Sequence, residues 1–365
     1  MYESNEKDQD DESDHFKTTF KFYKAKKPMP DLSDVLDFET EAENPDGRIS
    51  KFVLQIPNKD MVQIDGFKPV EEWKAYSIKN NPGFIFIVNP FKDGYQKYWV
   101  HRCLSDYPEA RNKANLDIQL DADRRSKLWE NFVNTDPETL GKNDEIMGLR
   151  WTTLGYHYVW NNKEYHKERR TPMPEDLEIL SKYVSQTINY PQYCPEAGIV
   201  NYYHLDSTLG GHTDHAEFEQ GAPLISFSFG QEAIFLLGGL TKEVKPTPMF
   251  LKSGDICVMW KECRLAYHGI PKILAPKFDG YPLSLNSDVQ ETADNIKIQK
   301  ESNIDETEKK IISINEHMAD VLKKIKWKPY KLYMSYSRIN LNTRQVLISL
   351  ACTTGKHVHN RKSKK

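Results

Sequence analysis

Between Leu224 and Phe229 the chain reads Leu-Ile-Ser-Phe-Ser-Phe, with the serines on one parity and the aromatic rings on the other. A two-residue period of this kind belongs to a strand with one polar and one apolar face, because successive side chains leave a strand on opposite sides. Runs rich in β-forming residues recur at 198–204, 223–229, 232–238, 247–251, 255–260, 266–273 and 330–339. Gly210-Gly211, Gly230, Gly238-Gly239 and Ser253-Gly254 separate them. Many short strands at near-regular spacing predict a sandwich or jelly roll in the second half of the chain.

The first half is patterned differently. Helical spacing appears over 93–108, through Tyr98, Val100, Cys103 and Leu104, and over 122–133, through Leu128, Trp129 and Phe132. Gly83 to Val88 is an apolar, β-branched run stopped by Asn89-Pro90 and predicts a strand. Asp31-Leu32-Ser33-Asp34-Val35 predicts a short capped helix. Late in the chain, 276–310 loses its periodicity and predicts a surface insertion. One amphipathic helix is then predicted over 311–326, through Ile311, Ile314, Met318, Val321, Leu322 and Ile325. The expected fold class is mainly β with flanking helices.

With 365 residues, 38% hydrophobic and 12% aromatic, the chain can bury a sizeable core. Its length admits two domains, although β-sandwich enzymes of similar size form one. There is no run of eighteen apolar residues, so no membrane span is expected. The first fifteen residues carry seven acids and one lysine; they predict a disordered, solvated acidic tail and match neither a secretory nor a mitochondrial signal. The formal charge of −3 becomes +3 without them, 49 basic against 46 acidic residues. Nucleic-acid binding would therefore rest on local patches rather than on a global field. Five scattered cysteines (Cys103, Cys194, Cys257, Cys263, Cys352) predict no disulfide framework and a reducing compartment.

Candidate chemistry is concentrated in the strand-rich half. His212-Thr213-Asp214 would put an imidazole and a carboxylate on one face of a strand. His268, 56 residues further on, offers a second imidazole. Two histidines and one carboxylate on one face of a metal, with positions left open, characterise non-haem Fe(II) oxygenases. His204 and His215 compete for the role, but His215 has the wrong parity and His204 lies before the Gly-Gly turn. A polar loop at 212–214 and a capped strand-end imidazole at 268 are the alternatives. Arg338, Asn340, Asn342 and Arg344 also share one parity. Four polar side chains on one strand face are costly to bury without partners, so the face is either exposed or holds an anion. Guanidinium groups fork onto carboxylates, and two of them suit a dicarboxylate. Asn201 and Tyr203, on one parity just before the His-x-Asp triplet, could supply further hydrogen bonds.

Taken in order, Asn201-x-Tyr203, His212-x-Asp214, Ser253-Gly254-Asp255, Arg264-Leu265-x-x-His268-Gly269 and Arg338-x-Asn340-x-x-x-Arg344-Gln345 resemble the AlkB family of Fe(II)- and 2-oxoglutarate-dependent nucleic-acid dioxygenases. The strings 201–209, Ser226 to Gln231 and Trp151 to Tyr158 resemble the eukaryotic AlkB homologue 1 group in particular. The likeness runs from about Phe16 to Ala351, with gaps at 276–310. It implies a double-stranded β-helix (jelly-roll) core over 196–352 with an insertion at about 276–326 and an N-terminal helical region over 16–195; the residues themselves predict a basic, disordered tail over 353–365. It also implies His212, Asp214 and His268 as iron ligands, and Asn201, Tyr203, Arg338, Asn340 and Arg344 as 2-oxoglutarate contacts, with O₂ as the other co-substrate. A nucleotide-recognition lid is implied at about 150–170, lined by Tyr156 and Tyr158, with Trp129 and Arg264 nearby. Aromatic rings interleaved with Lys163, Lys167, Arg169 and Arg170 offer stacking faces beside phosphate-binding charges. The alternative is an aromatic hairpin packed on the core.

The implied activity is oxidative demethylation or hydroxylation of methylated bases: tRNA N1-methyladenosine or 5-methylcytosine, or DNA N6-methyladenine. The expected partner is single-stranded or structured nucleic acid bound by a monomer, with no membrane partner, in nucleus and cytoplasm, with the mitochondrion as the alternative compartment. Competing functions are a histone lysine demethylase, a strand-cleaving lyase at abasic sites using Lys163 or Lys167, and an inactive nucleic-acid-binding module. One departure stands out. Where bacterial members carry an acid two residues past the metal-binding Asp, this chain has Ala216, with Glu217 or Glu219 as candidate substitutes.

Overall fold

The computed structural model describes residues 13–40, 47–57, 64–135, 145–276 and 306–348. Its strands are β1 (Ile49–Lys51), β2 (Lys74–Ile78), β3 (Asn81–Val88), β4 (Lys113–Ala114), β5 (Trp151–Val159), β6 (Glu164–Arg170), β7 (Ala197–His204), β8 (Leu209–His212), β9 (Leu224–Gly230), β10 (Ala233–Leu237), β11 (Thr247–Leu251), β12 (Ile256–Met259), β13 (His268–Ile273) and β14 (Ser337–Arg344). Helices are α1 (His15–Lys24), α2 (Gln96–His101), α3 (Ala122–Ser126), α4 (Leu128–Asn134), α5 (Glu175–Thr187), α6 (Glu306–Lys324) and α7 (Trp327–Met334). Antiparallel pairing gives a large sheet in the order β1-β2-β3-β12-β9-β14-β7-β5-β4, with β6 on β5, and a four-stranded sheet in the order β11-β10-β13-β8. From β7 onward the chain passes back and forth between the two sheets, which makes the jelly-roll core. Strands from both sides of residue 195 share the large sheet.

Sequence parity decides which face meets what. In β9, Ile225, Phe227 and Phe229 turn outward and pack with Ile339 and Leu341 of β14 against the helices, through Leu180 and Tyr183 of α5, Met318 of α6 and Tyr333 of α7. The opposite face joins the small sheet, where Phe84, Phe86 and Met259 meet Phe235, Leu251 and Ile270. The small sheet's outer side is covered by α1, whose Phe16 and Tyr23 pack on Ile234 and Leu236. The layers are thus helices, large sheet, small sheet and α1. The polar parity of β9 and β14 faces the space between the sheets.

Several expectations need correction. Asp31–Val35 is a turn and not a helix: the Asp31 carboxylate accepts from the Ser33 amide at 3.0 Å, a local bond that competes with helical ones. Leu36 then bridges to Met249 at the edge of the small sheet. The expected strand at 330–339 is instead α7 followed by β14. Tyr330, Tyr333 and Met334 are its buried residues, a helical spacing that the apolar run concealed. The helix expected at 122–133 breaks at Lys127 into α3 and α4, and the helix at 93–108 ends in a π-turn over 102–106. The amphipathic helix begins earlier than expected, at Glu306, and buries Ile311, Ile314 and Met318. Asp14 is not tail: its carboxylate caps α1 by accepting from the Lys17 amide at 2.7 Å. Residues 1–12, 277–305 and 349–365, which carry most of the acidic tail, most of the insertion and the basic tail, lie outside the described residues. Among the described residues no helix is long and apolar enough to cross a membrane, and Cys103, Cys194, Cys257 and Cys263 are free.

Candidate metal centre and its cavity

β8 and β13 are antiparallel neighbours, and their register sets His212 directly opposite His268. The two imidazole centroids are 4.3 Å apart. Asp214 follows just past the end of β8, so irregular backbone rather than the pleat of a strand brings it in, which corrects the expected mechanism of convergence. Its Oδ2 lies 3.6 Å from His268 Nε2. One ligand atom from each of the three residues falls within 4.8 Å of the others.

Each imidazole is held by a backbone carbonyl two residues earlier: His212 Nδ1 by Gly210 at 3.0 Å and His268 Nδ1 by Ala266 at 3.1 Å. A carbonyl only accepts, so Nδ1 carries the proton on both rings and Nε2 keeps a free lone pair. Burial, reinforced by His212, pushes the His268 pKa down to about 4 against the pull of Asp214, so the ring is neutral at pH 7. Burial alone would raise the Asp214 pKa, but Arg344, the two imidazoles and Arg264 outweigh it and hold the carboxyl well below the usual range. The neutral His268 ring and the Asp214 carboxylate therefore stand beside His212 as a ready donor set.

A cavity of about 550 Å³ opens beside them. Its floor is the polar face of β7, β9 and β14. Arg338 is 1% exposed and donates from Nη1 to the carbonyls of Gln231 (3.1 Å) and Leu251 (3.2 Å), and from Nη2 to Ser228 Oγ at 2.7 Å. Its Nε is buried and without a partner. Asn340 Nδ2 donates to Ser226 Oγ at 2.7 Å, and Asn201 and Tyr203 line the same wall. Arg344 is engaged elsewhere: Nη1 lies 3.2 Å from Asp214 Oδ1 and 2.8 Å from Glu217 Oε1, and Nη2 donates to Asn342 Oδ1 at 2.6 Å.

The 2OG-Fe(II) oxygenase superfamily model matches residues 84–344. "Nucleic acid dioxygenase ALKBH1" of Homo sapiens is 36% identical over 347 residues, covering 92% of this chain and 84% of the human protein. "DNA N(6)-methyladenine demethylase ALKBH1A" of Arabidopsis thaliana is 31% identical, covering 71% of this chain and 81% of the plant protein. "tRNA demethylase abh1" of Schizosaccharomyces pombe is 30% identical over 74% of this chain and 89% of its own length. The chain is a 2-oxoglutarate- and Fe(II)-dependent dioxygenase of the AlkB homologue 1 group.

The residues of this dioxygenase fit the groups its family requires. The His-Asp-His donor set suits Fe(II). The partnerless Nε of Arg338, a residue that lines the cavity, suits a carboxylate of 2-oxoglutarate. Arg344 differs from expectation: its Nη atoms serve Asp214, Glu217 and Asn342, which leaves only its partnerless Nε toward a co-substrate.

The residues expected at the substrate end divide. Tyr158 lines the cavity. Tyr156 does not. It is buried with Tyr165, Ala197 and Val346, and its hydroxyl accepts from Arg170 at 3.3 Å. A register shift in β5 between Tyr156 and Tyr158, next to Gly155 at φ +65°, breaks the parity that seemed to join them. Trp129 packs among the helices, 4.2 Å from Tyr330, on the far side of the large sheet. Arg264 is buried behind the metal centre, where Nη1 donates to the Asp214 carbonyl at 2.7 Å. Neither proposed acid reaches the cavity: Glu217 is paired with Arg264 and Arg344, and Glu219 accepts from the Gly221 amide at 2.7 Å. His204 is held by Ser337 Oγ and the Met147 carbonyl, away from the metal ligands, whereas His215 lines the cavity.

Trp160, Lys242 and Tyr267 line the cavity without having been expected there. Trp160 was within reach of sequence reading, since it follows Tyr158 at the same parity. Lys242 and Tyr267 come from loops that only the folded chain brings together.

Proposed function

We propose that this dioxygenase removes or oxidises methyl groups on bases of nucleic acid, with His212, Asp214 and His268 holding the iron and Arg338, Asn340, Asn201 and Tyr203 orienting 2-oxoglutarate. One observation carries the reading: the cavity beside the His-Asp-His cluster is rimmed by a hairpin that combines aromatic rings with lysines. Trp160 is 45% exposed, stands 4.7 Å from Tyr158 and 5.2 Å from Trp151, and lines the cavity together with Lys163. An exposed ring of this kind gives an extruded base a stacking face, and the lysine answers a neighbouring phosphate. The relatives named above act on nucleic acid according to their names, which agrees with such a rim.

Bound iron with 2-oxoglutarate and O₂ supplies an oxidant able to hydroxylate a methyl C–H bond. The protein's part is to hold that methyl group next to the metal and to keep the base out of any stack. A hydroxylated N-methyl group leaves as formaldehyde, whereas a C-methyl group keeps its new oxygen. The near-neutral charge favours structured or single-stranded substrates, bound by a monomer, over tracking along duplex.

Nucleoside mass spectrometry after incubating the protein with tRNA or DNA, iron, ascorbate and 2-oxoglutarate tests this. Loss of N1-methyladenosine, 5-methylcytosine or N6-methyladenine, with matching succinate, is expected. No change in any methylated nucleoside, with no substrate-triggered succinate, would leave a binding module in its place.

A further inference from the structure

We propose that Glu217 is a positioning residue for the metal centre: its carboxylate clamps Arg264 and Arg344 together and so keeps Asp214 available to the metal. The inference rests on the metal ligands proposed above and is independent of which nucleic acid is the substrate.

Glu217 lies three residues past Asp214, and its side chain is 0% exposed. Oε2 accepts from Arg264 Nη2 at 3.1 Å and Oε1 from Arg344 Nη1 at 2.8 Å. Each guanidinium then reaches Asp214 by its own route. Arg264 holds the Asp214 backbone carbonyl at 2.7 Å and is itself tied through Nε to the Ala222 carbonyl at 3.2 Å. Arg344 holds the Asp214 side chain, with Nη1 3.2 Å from Oδ1 and Nη2 3.5 Å from Oδ2. The four side chains form a neutral buried set of two cations and two anions. Glu217 is out of reach of a substrate base, because its side chain is fully buried and does not line the cavity.

The arrangement places a demand on Asp214, whose oxygens must serve both a metal and Arg344. Glu217 relieves it by giving Arg344 Nη1 a second acceptor. Without that acceptor, two buried guanidiniums share a single carboxylate, the metal ligand itself. The Arg344 hydrogen bonds then fall more heavily on the Asp214 lone pairs that a metal would use, and Arg264, which holds the Asp214 backbone carbonyl, loses the carboxylate that fixes its other Nη. Partners behind metal ligands typically change metal affinity by about 10- to 100-fold.

The test is a Co(II) titration of the metal-free full-length protein, followed by the visible ligand-field absorption of bound Co(II), with urea unfolding of the metal-free variants alongside. Glu217→Gln is expected to bind Co(II) roughly 10- to 100-fold more weakly. Adding Arg264→Gln restores neutrality and is expected to recover part of that loss. Wild-type Co(II) affinity in folded Glu217→Gln overturns the inference, as does a double variant without recovery, which would assign the loss to packing. If Glu217→Gln does not fold, Arg264→Lys keeps the charge while removing the fork. Weakened Co(II) binding there supports the clamp, and unchanged binding overturns it. His212→Ala separates the two levels: Co(II) binding that survives it contradicts the ligand assignment itself.

Discussion

The strand that floors the cavity and the hairpin that rims it belong to one sheet, since β5 pairs with β7 and sets Trp151 beside Asn201. Their polar groups nevertheless live in opposite conditions. On β14, Arg338, Asn342 and Arg344 are 1%, 7% and 4% exposed, and each is fixed by side-chain or carbonyl partners. On the hairpin, Lys163, Lys167, Arg169 and Arg170 are exposed to solvent. A charge buried among fixed dipoles is preorganised for one small anion of known shape. A solvated lysine on a flexible stem adapts to a polymer whose phosphates arrive in many positions. The floor thus suits one small anion, and the rim suits a partner of variable shape.

The sharpest way to break this contrast is at the metal. Asp214→Ala is expected to abolish iron-dependent turnover while circular dichroism reports an intact fold; substrate-dependent succinate from this variant would remove Asp214 from the ligand set. Next comes the floor. Arg338→Ala takes a buried cation from its anion, a change that costs about 2–5 kcal/mol, so the 2-oxoglutarate KM should rise at least about thirtyfold. An unchanged KM would show that the anion lies elsewhere. The rim should respond more gently and more selectively. Trp160→Ala removes a stacking face worth about 1–3 kcal/mol per base, so turnover of methylated nucleic acid should fall about 5- to 150-fold. Uncoupled 2-oxoglutarate decay should stay near wild type. Equal losses in both assays would place Trp160 in the floor's function instead.

The smallest effect concerns the buried root of the hairpin. His157 on β5 meets Thr153 Oγ1 at 2.9 Å, and burial, helped by Lys113, pushes its pKa down to about 4. The folded state thus holds the ring neutral, whereas the unfolded chain takes up a proton below about pH 6.5. Its stabilising contribution is complete above that pH and is lost as pH falls toward 4. Between pH 7 and 5 the loss is about 2 kcal/mol. Urea midpoints at the two pH values should draw closer in His157→Gln; an identical pH dependence would remove His157 as a cause. His268 shifts in the same direction and is present in both proteins, so it cancels from the comparison.

Strand parity carried most of what was legible in the sequence. The alternating serines of β9 and the polar row of β14 are visible in one dimension, and the structure joins them through Ser226–Asn340 and Ser228–Arg338. The resemblance to a known family then singled out His212, Asp214 and His268, which the fold brings together. Parity failed where geometry interrupts it. The irregularity in β5 turned Tyr156 into the core, and Leu332-Tyr333-Met334 looked like a strand because three apolar residues in a row fit either period. Trp129 was misplaced for another reason: a large aromatic ring on a helix packs into a core as readily as it lines a site. Glu217 was offered, with Glu219, as a substitute for the acid that bacterial members carry where this chain has Ala216. Its two partners lie 47 and 127 residues away in sequence, and no local pattern announces them.

The register of β8 and β13 has a mechanical corollary. β8 is only four residues long and forms the outer border of the four-stranded sheet, which leaves it prone to fraying. An ion gripped by His212 on that strand and by His268 on its neighbour would act as a rivet across the seam. Loading the enzyme would then stiffen its own border, and chelation would release it, so that the amides of 209–212 exchange with solvent faster when the ion is gone.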